Sequence, residues 1–177
     1  ALVCSDCVWP CVAASASMAG RMRLTIDSWF CELAPAGVVM ASSVAMDKVM
    51  TKRIWRCADL PTPRYVWLAA DQQDRERVRT IPDELNLPLI VKPPREGSSI
   101  GVTKVVGYSQ MQDAVQLAAR YDADVLCEEF IDGEEVTCAV LGSGPGARAL
   151  PVIRIVAPDG AYDYQNKYFT DDVKYQC

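Results

Sequence analysis

Residues 85–105, LNLPLIVKPPREGSSIGVTKV, run from an apolar, β-branched segment straight into Lys92, two prolines and a loop holding Gly97, Ser98, Ser99 and Gly101. Two strands, 87–92 and 100–106, joined by that loop read as an antiparallel pair. A lysine closing such a strand is by itself most often an edge-strand gatekeeper or a snorkelling end. The loop changes the reading of Lys92. Glycines let the backbone approach a ligand, Ser98 and Ser99 add hydroxyl donors, and successive backbone N–H groups can face an anion. A donor-rich flap beside a strand-borne ammonium suits a triphosphate, and an ordinary hairpin suits the same residues equally well. No G-x-x-x-x-G-K-[ST] pattern occurs, so the loop is not of the Walker type.

Upstream, Ser42 or Ser43 can cap a helix with Asp47 near its positive end and Lys52, Arg53 and Arg56 toward its negative end. Met46, Met50, Ile54 and Ala58 recur every four residues as its apolar stripe. The helix stops at Leu60-Pro61, because a residue before proline avoids helical angles. Residues 64–69 read as a strand and the charged 71–84 stretch as a solvated connection or short helix. Downstream, Ser109 and Gln112 form an S-x-x-Q capping box, with Met111, Val115, Ala118 and Tyr121 as the apolar face of a second helix. Three strands follow, VLCEEFI, EEVTCAVLG and ALPVIRIVA, broken by Asp132-Gly133 and by the glycine-rich 142–146. The order predicts an α+β fold with a mostly antiparallel sheet, not the alternating βαβ of a doubly wound domain.

Composition narrows the function. The chain has 177 residues, enough for one domain or a domain and a half, and half of them are hydrophobic, so a packed core is expected. A net charge of −5 argues against a basic nucleic-acid surface, while a few local cations can still hold a phosphate. No run of about 18 apolar residues appears, so no membrane span is expected. There is no histidine, which removes Ser-His-Asp and Cys-His catalysis and most zinc sites. Of eight cysteines, Cys4 and Cys7 make a lone C-x-x-C. Cys127 and Cys138 lie in strand-like runs and read as small core residues in a reducing compartment.

Two further stretches carry polar groups. VLCEEFIDGEEV places carboxylates at 128, 129, 134 and 135. A solvated face with a hairpin turn at Asp132-Gly133 explains them blandly. Alternatively a carboxylate accepts from ribose hydroxyls while backbone groups of the linking segment read adenine. YDYQNKYFTDD offers Lys167 with Tyr162, Tyr164 and Tyr168 on a polar loop able to act as a lid.

Taken in order, GVVMASSVAMDKVMTKRIW, LPLIVKPPREGSSIGVTKV, VLCEEFIDGEEVTCAVLG and LPVIRIVAPDGAYDYQNKYFTDDVKY resemble the middle of a bacterial D-alanine–D-alanine ligase, a member of the ATP-grasp superfamily. The resemblance covers about residues 37–177, with four motifs in the family's order and spacing. It implies an ATP-grasp fold, incomplete at both ends, and ATP and Mg2+ as cofactors. Lys48 and Lys92 match the family's phosphate-binding lysines. Glu128, Glu129, Phe130 and Ile131 match the adenine hinge, and Glu135 matches the ribose carboxylate. Ser98 matches the serine that holds the flap and positions D-alanine, beside Ser99. Lys167 and Tyr168 fall on the loop that closes over the site, and Tyr168 favours an amine as the second substrate. The implied reaction phosphorylates the first D-alanine carboxylate from ATP, and the second D-alanine amine then attacks the acyl phosphate. The substrates are ATP and D-alanine, in the cytoplasm, without nucleic acid or membrane, and the intact enzyme allows a homodimer.

Residues 1–36 depart from the family: its glycine-rich substrate segment, its glutamate near the first D-alanine and its His-Gly segment are absent. An out-of-frame translation joined near Gly37 explains that stretch. The family's metal ligands are expected beyond residue 177, so no residue here is assigned to a metal. The chain is therefore expected to be an ATP-binding fragment, inactive or weakly binding alone. Another ATP-grasp carboxylate–amine ligase and a non-catalytic globular module remain as alternatives.

Overall fold

The computed structural model describes residues 12–16, 35–142, 144–158, 162 and 164–177, and the cysteines at 4, 7, 11 and 31 lie outside them, as does most of the unassigned 1–36 stretch. In chain order the elements are β1 (Val12–Ala16), α1 (Pro35–Met46), α2 (Lys48–Cys57), β2 (Tyr65–Leu68), α3 (Arg75–Leu85), β3 (Leu89–Lys92) and β4 (Thr103–Val105). Then come α4 (Met111–Ala118), β5 (Val125–Glu129), β6 (Glu134–Cys138), β7 (Val140–Leu141), β8 (Arg148–Ala149), β9 (Ile153–Val156), α5 (Tyr164–Tyr168) and β10 (Lys174–Gln176). Two antiparallel four-stranded sheets result, ordered β2-β5-β3-β4 and β1-β6-β9-β10, with β7 and β8 as a small separate pair. The α+β plan and the antiparallel pairing of the quoted stretch are both present.

Side-chain alternation divides the first sheet into two faces. Leu68, Leu89, Val91, Val105, Val125 and Cys127 point to one side and pack with Val78, Ile81 and Leu85 of α3 and Met111, Ala114, Val115 and Ala118 of α4. Cys127 and Cys138 are buried free thiols, as expected from their apolar runs. The opposite parity sends Tyr65, Ile90, Lys92, Leu126 and Glu128 to the other face, where β3 and β5 run in register with Ile90 opposite Glu128 and Lys92 opposite Leu126. That face carries the candidate site.

Several expectations need correction. The helix expected from Ser42 is two helices, and Ser42 and Ser43 sit inside the first. Asp47 leaves the helical conformation (φ −100°, ψ 105°) and its Oδ1 accepts from Val49 N and Met50 N, which starts α2 afresh. The expected stripe is not the buried one. Met46 and Met50 are exposed, whereas Val49, Thr51 and Lys52 are buried. At α4 the Ser109–Gln112 capping box does not form. A 3-10 turn at Tyr108–Gln110 leads in, Gln110 stands at the N-cap, and its Oε1 accepts instead from Val106 N at 2.8 Å. Tyr121 lies past the end of α4 and is half exposed. The 71–84 stretch does contain a full helix, α3, capped by Asp74. Asp132-Gly133 is not a hairpin turn, because β5 and β6 belong to different sheets.

Candidate functional site

Beginning α2 at Asp47 places Lys48 in its first turn, against the end of β3. Lys48 N donates to Pro94 O at 3.1 Å, and its ammonium donates to Pro94 O at 3.2 Å and to Glu96 O. Burial pushes the Lys48 ammonium down to about 8, helped by the neighbouring Lys92 charge and opposed by Glu128, Glu96 and Asp47. Lys92, the last residue of β3, pairs with Glu128 Oε1 on β5. Lys52, one turn beyond Lys48, pairs with Glu128 Oε2 at 2.8 Å. Two ammonium groups thus hold one buried carboxylate, with the Lys48 charge close enough to feel both Lys92 and Glu128. Burial would push the Glu128 carboxyl up, but the charges of Lys92 and Lys52 outweigh it and hold the group at about 2.

Arg95 fixes the root of the glycine-serine loop. Its guanidinium meets Asp47 at 3.2 Å, Asp122 at 2.6 Å and Asp124 at 2.7 Å, and its backbone N–H donates to Asp122 at 3.1 Å. The N-cap of α2 and the turn before β5 are thereby tied to the same residue. Past Arg95 the backbone turns left-handed at Ser98 (φ 52°), Ser99 (φ 62°) and Gly101 (φ 67°). The Ser98 and Tyr168 hydroxyls lie 2.7 Å apart. Lys167 donates to Ser99 Oγ at 3.0 Å, while Ser99 Oγ lies 3.5 Å from Tyr162 O. The Lys167 ammonium also sits 4.8 Å from the Tyr162 ring centre, and the Tyr162 hydroxyl is 3.1 Å from that of Tyr175. The flap and the lid-like segment, about 70 residues apart in sequence, are therefore in contact. The Tyr164 side chain lies outside the described part of the structure.

At the other end of the site, Glu129 and Phe130 lead from β5 toward the second sheet. Glu129 N donates to Arg64 O at 3.0 Å and Phe130 N to Pro88 O at 3.2 Å. The Glu129 carboxylate is engaged by Arg64 Nε at 2.8 Å and by Arg64 N at 3.1 Å, so it serves the packing of that edge. Lys104 stands over the Phe130 ring at 3.6 Å. Ile131 is half buried beside it. Glu135 projects from β6; burial raises its carboxyl and the Lys167 charge lowers it, with a net shift upward.

Sequence reasoning put Lys48, Lys92, Ser98, Ser99, Glu128, Lys167 and Tyr168 at a site, and the fold brings them together in two linked groups. It missed Lys52, read as a cation facing a helix end, and it missed Arg95. The signal for Lys52 was available, since residues four apart on a helix share a face and Lys48 was already a candidate. Among the described residues no three histidine, cysteine, aspartate or glutamate side chains come together as a group that could hold a metal ion.

Residues 54–177 match the family model described as "D-ala D-ala ligase C-terminus". A D-alanine–D-alanine ligase of Methylibium petroleiphilum is 76% identical over 139 residues, covering 78% of this chain and 44% of that protein. One from Bordetella pertussis is 59% identical over 138 residues, covering 78% and 42%. The chain thus spans less than half the length of these curated relatives. Among solved structures, the VanG D-Ala:D-Ser ligase of Enterococcus faecalis superposes with a TM-score of 0.65 at 33% identity, covering 76% of this chain and 39% of that one.

Proposed function

Since the chain belongs to the D-alanine–D-alanine ligase family, we propose that it supplies the nucleotide-binding part of an enzyme that joins two D-alanine molecules as ATP becomes ADP and phosphate. The convergence of Lys48 and Lys92 beside the Ser98–Ser99 loop carries this reading. One carboxylate oxygen of the first D-alanine attacks the γ-phosphorus, the bond to the ADP oxygen breaks, and an acyl phosphate forms. The amine of the second D-alanine then attacks the carbonyl carbon, phosphate leaves, and the amine gives up a proton.

Lys48 and Lys92 hold the phosphate oxygens and balance their charge as it shifts, a matter of positioning and electrostatics. Backbone groups of residues 129–131 face adenine, with Phe130 braced by Lys104 and Glu129 committed to Arg64. Glu128 sits between the adenine and phosphate ends, and Glu135 accepts from the ribose hydroxyls. The Ser98–Tyr168 contact and the Lys167–Ser99 bond close the flap over the reacting carboxylate. Magnesium, when bound with the nucleotide, neutralises phosphate charge. Buried free thiols fit a reducing compartment, and among the described residues no helix is long and apolar enough to cross a membrane, which suits a cytoplasmic reaction on small molecules. The dipeptide product would serve peptidoglycan synthesis.

Acylation of individual lysines, read by mass spectrometry with and without ATP and magnesium, tests the nucleotide site. Lys48 and Lys92 are expected to react several-fold more slowly with ATP, while the exposed Lys174 is unchanged. Equal rates at Lys48 and Lys92 in both conditions would overturn the proposal.

A further inference from the structure

Lys52 does something that its place on a charged helix conceals. Its side chain is only 7% exposed. Its ammonium has three donors, and three acceptors surround it: Glu128 Oε2 at 2.8 Å, Thr62 Oγ1 at 2.8 Å and Pro63 O at 3.3 Å. The Tyr65 ring, 5.2 Å away, covers another side. Two of its donors go to Thr62 and Pro63 and its charge faces Glu128, so Lys52 is directed inward and not toward a ligand. A methionine would fill the same volume without the cost of desolvating an ammonium, so packing does not explain a lysine here.

Charge explains it. Glu128 bonds Lys92 through one oxygen and Lys52 through the other. Were Lys52 absent, Lys92 and Glu128 would form a neutral pair, and Lys92 would bring little net charge to an anion. With Lys52 present, the three groups carry one positive charge, which rests on Lys92, the more exposed lysine. We infer that Lys52 is a positioning residue that occupies Glu128 and so keeps Lys92 electrostatically available to the phosphates of a nucleotide. The inference rests on the nucleotide-binding reading above and deepens it.

Affinities of the full chain for ATP and for adenosine test it, because adenosine lacks the phosphates that respond to this charge. Lys52→Met is expected to lower the ATP-to-adenosine affinity ratio about tenfold, the size of one partly screened charge interaction. Adding Glu128→Gln removes the carboxylate, and the double variant should return the ratio toward wild type. Lys52→Arg keeps the charge and should keep the ratio. A Lys52→Met protein with the wild-type ratio, or a double variant as weak as Lys52→Met, overturns the inference. If Lys52→Met does not fold, Glu128→Gln alone decides. It should raise the ratio above wild type, and a ratio at or below wild type overturns the inference. A wild-type chain that binds neither ligand overturns the nucleotide reading, and the inference falls with it.

Discussion

Lys48 owes its chemistry to the place where α2 begins. Because Asp47 caps the helix with its side chain, Lys48 lies in the first turn, its backbone on Pro94 O and its ammonium among carbonyls of the loop root. Burial and the nearby Lys92 together bring its titration down to about 8. A bound polyphosphate favours the protonated form, so ATP affinity should respond to pH where most lysines would not. The sign is fixed: affinity is full below about pH 8 and falls as the free ammonium loses its proton. Between pH 7 and pH 9 the ATP dissociation constant is expected to rise about tenfold, with adenosine binding as the insensitive control. A flat ATP profile across that interval would remove Lys48 from the phosphate contacts. Lys52 is also shifted downward, through burial, but with Glu128 against it.

At the scale of elements, the loop between β3 and β4 is held by conformation as well as by contacts. Gly101 has φ 67°, and a Cβ there would stand 2.8 Å from Tyr121 Cδ2 and 3.1 Å from Pro93 Cδ. Pro93 is fully buried and cannot yield as the half-exposed Tyr121 can. Gly101→Ala should therefore cost about 1–2 kcal/mol, read as a lower midpoint in thermal unfolding. An unchanged midpoint would mean that the loop relaxes freely. The strands flanking this loop were legible in sequence because apolar residues alternate across a buried face, as Leu89 and Val91 do. The break between α1 and α2 was not, since an aspartate inside a helical pattern reads equally as a first-turn charge or as a cap. Lys52 was misread for a related reason: periodicity counts apolar residues, and a buried cation appears in that count as solvent-facing. Contacts between Ser98 and Tyr168, or Ser99 and Lys167, join residues about 70 positions apart. No local pattern encodes such a pairing, and it could be expected only from the resemblance of whole motifs to a family.

For the molecule as a whole, Glu128 is a junction. It lies one residue before the end of β5, where the chain leaves for the second sheet, it pairs with β3 through Lys92, and it draws in α2 through Lys52. A carboxylate held at about 2 in the folded state, against an ordinary 4.5, stabilises the fold above the unfolded value and loses that contribution as pH falls. The window is therefore about pH 4.5 to 2, with on the order of 3 kcal/mol at stake across all of it and about 2 kcal/mol already lost at pH 3. Glu128→Gln has no such proton to take up. That variant should be less stable than wild type at pH 7, because the buried Lys52 and the partly buried Lys92 lose their counter-charge. Its stability should nevertheless decline less steeply between pH 4.5 and pH 3, so the two curves approach each other in acid. Urea unfolding of both proteins at pH 7, 4.5 and 3 measures this. Parallel curves would mean that Glu128 does not govern this part of acid unfolding, and that the tie between α2, β3 and β5 lies elsewhere.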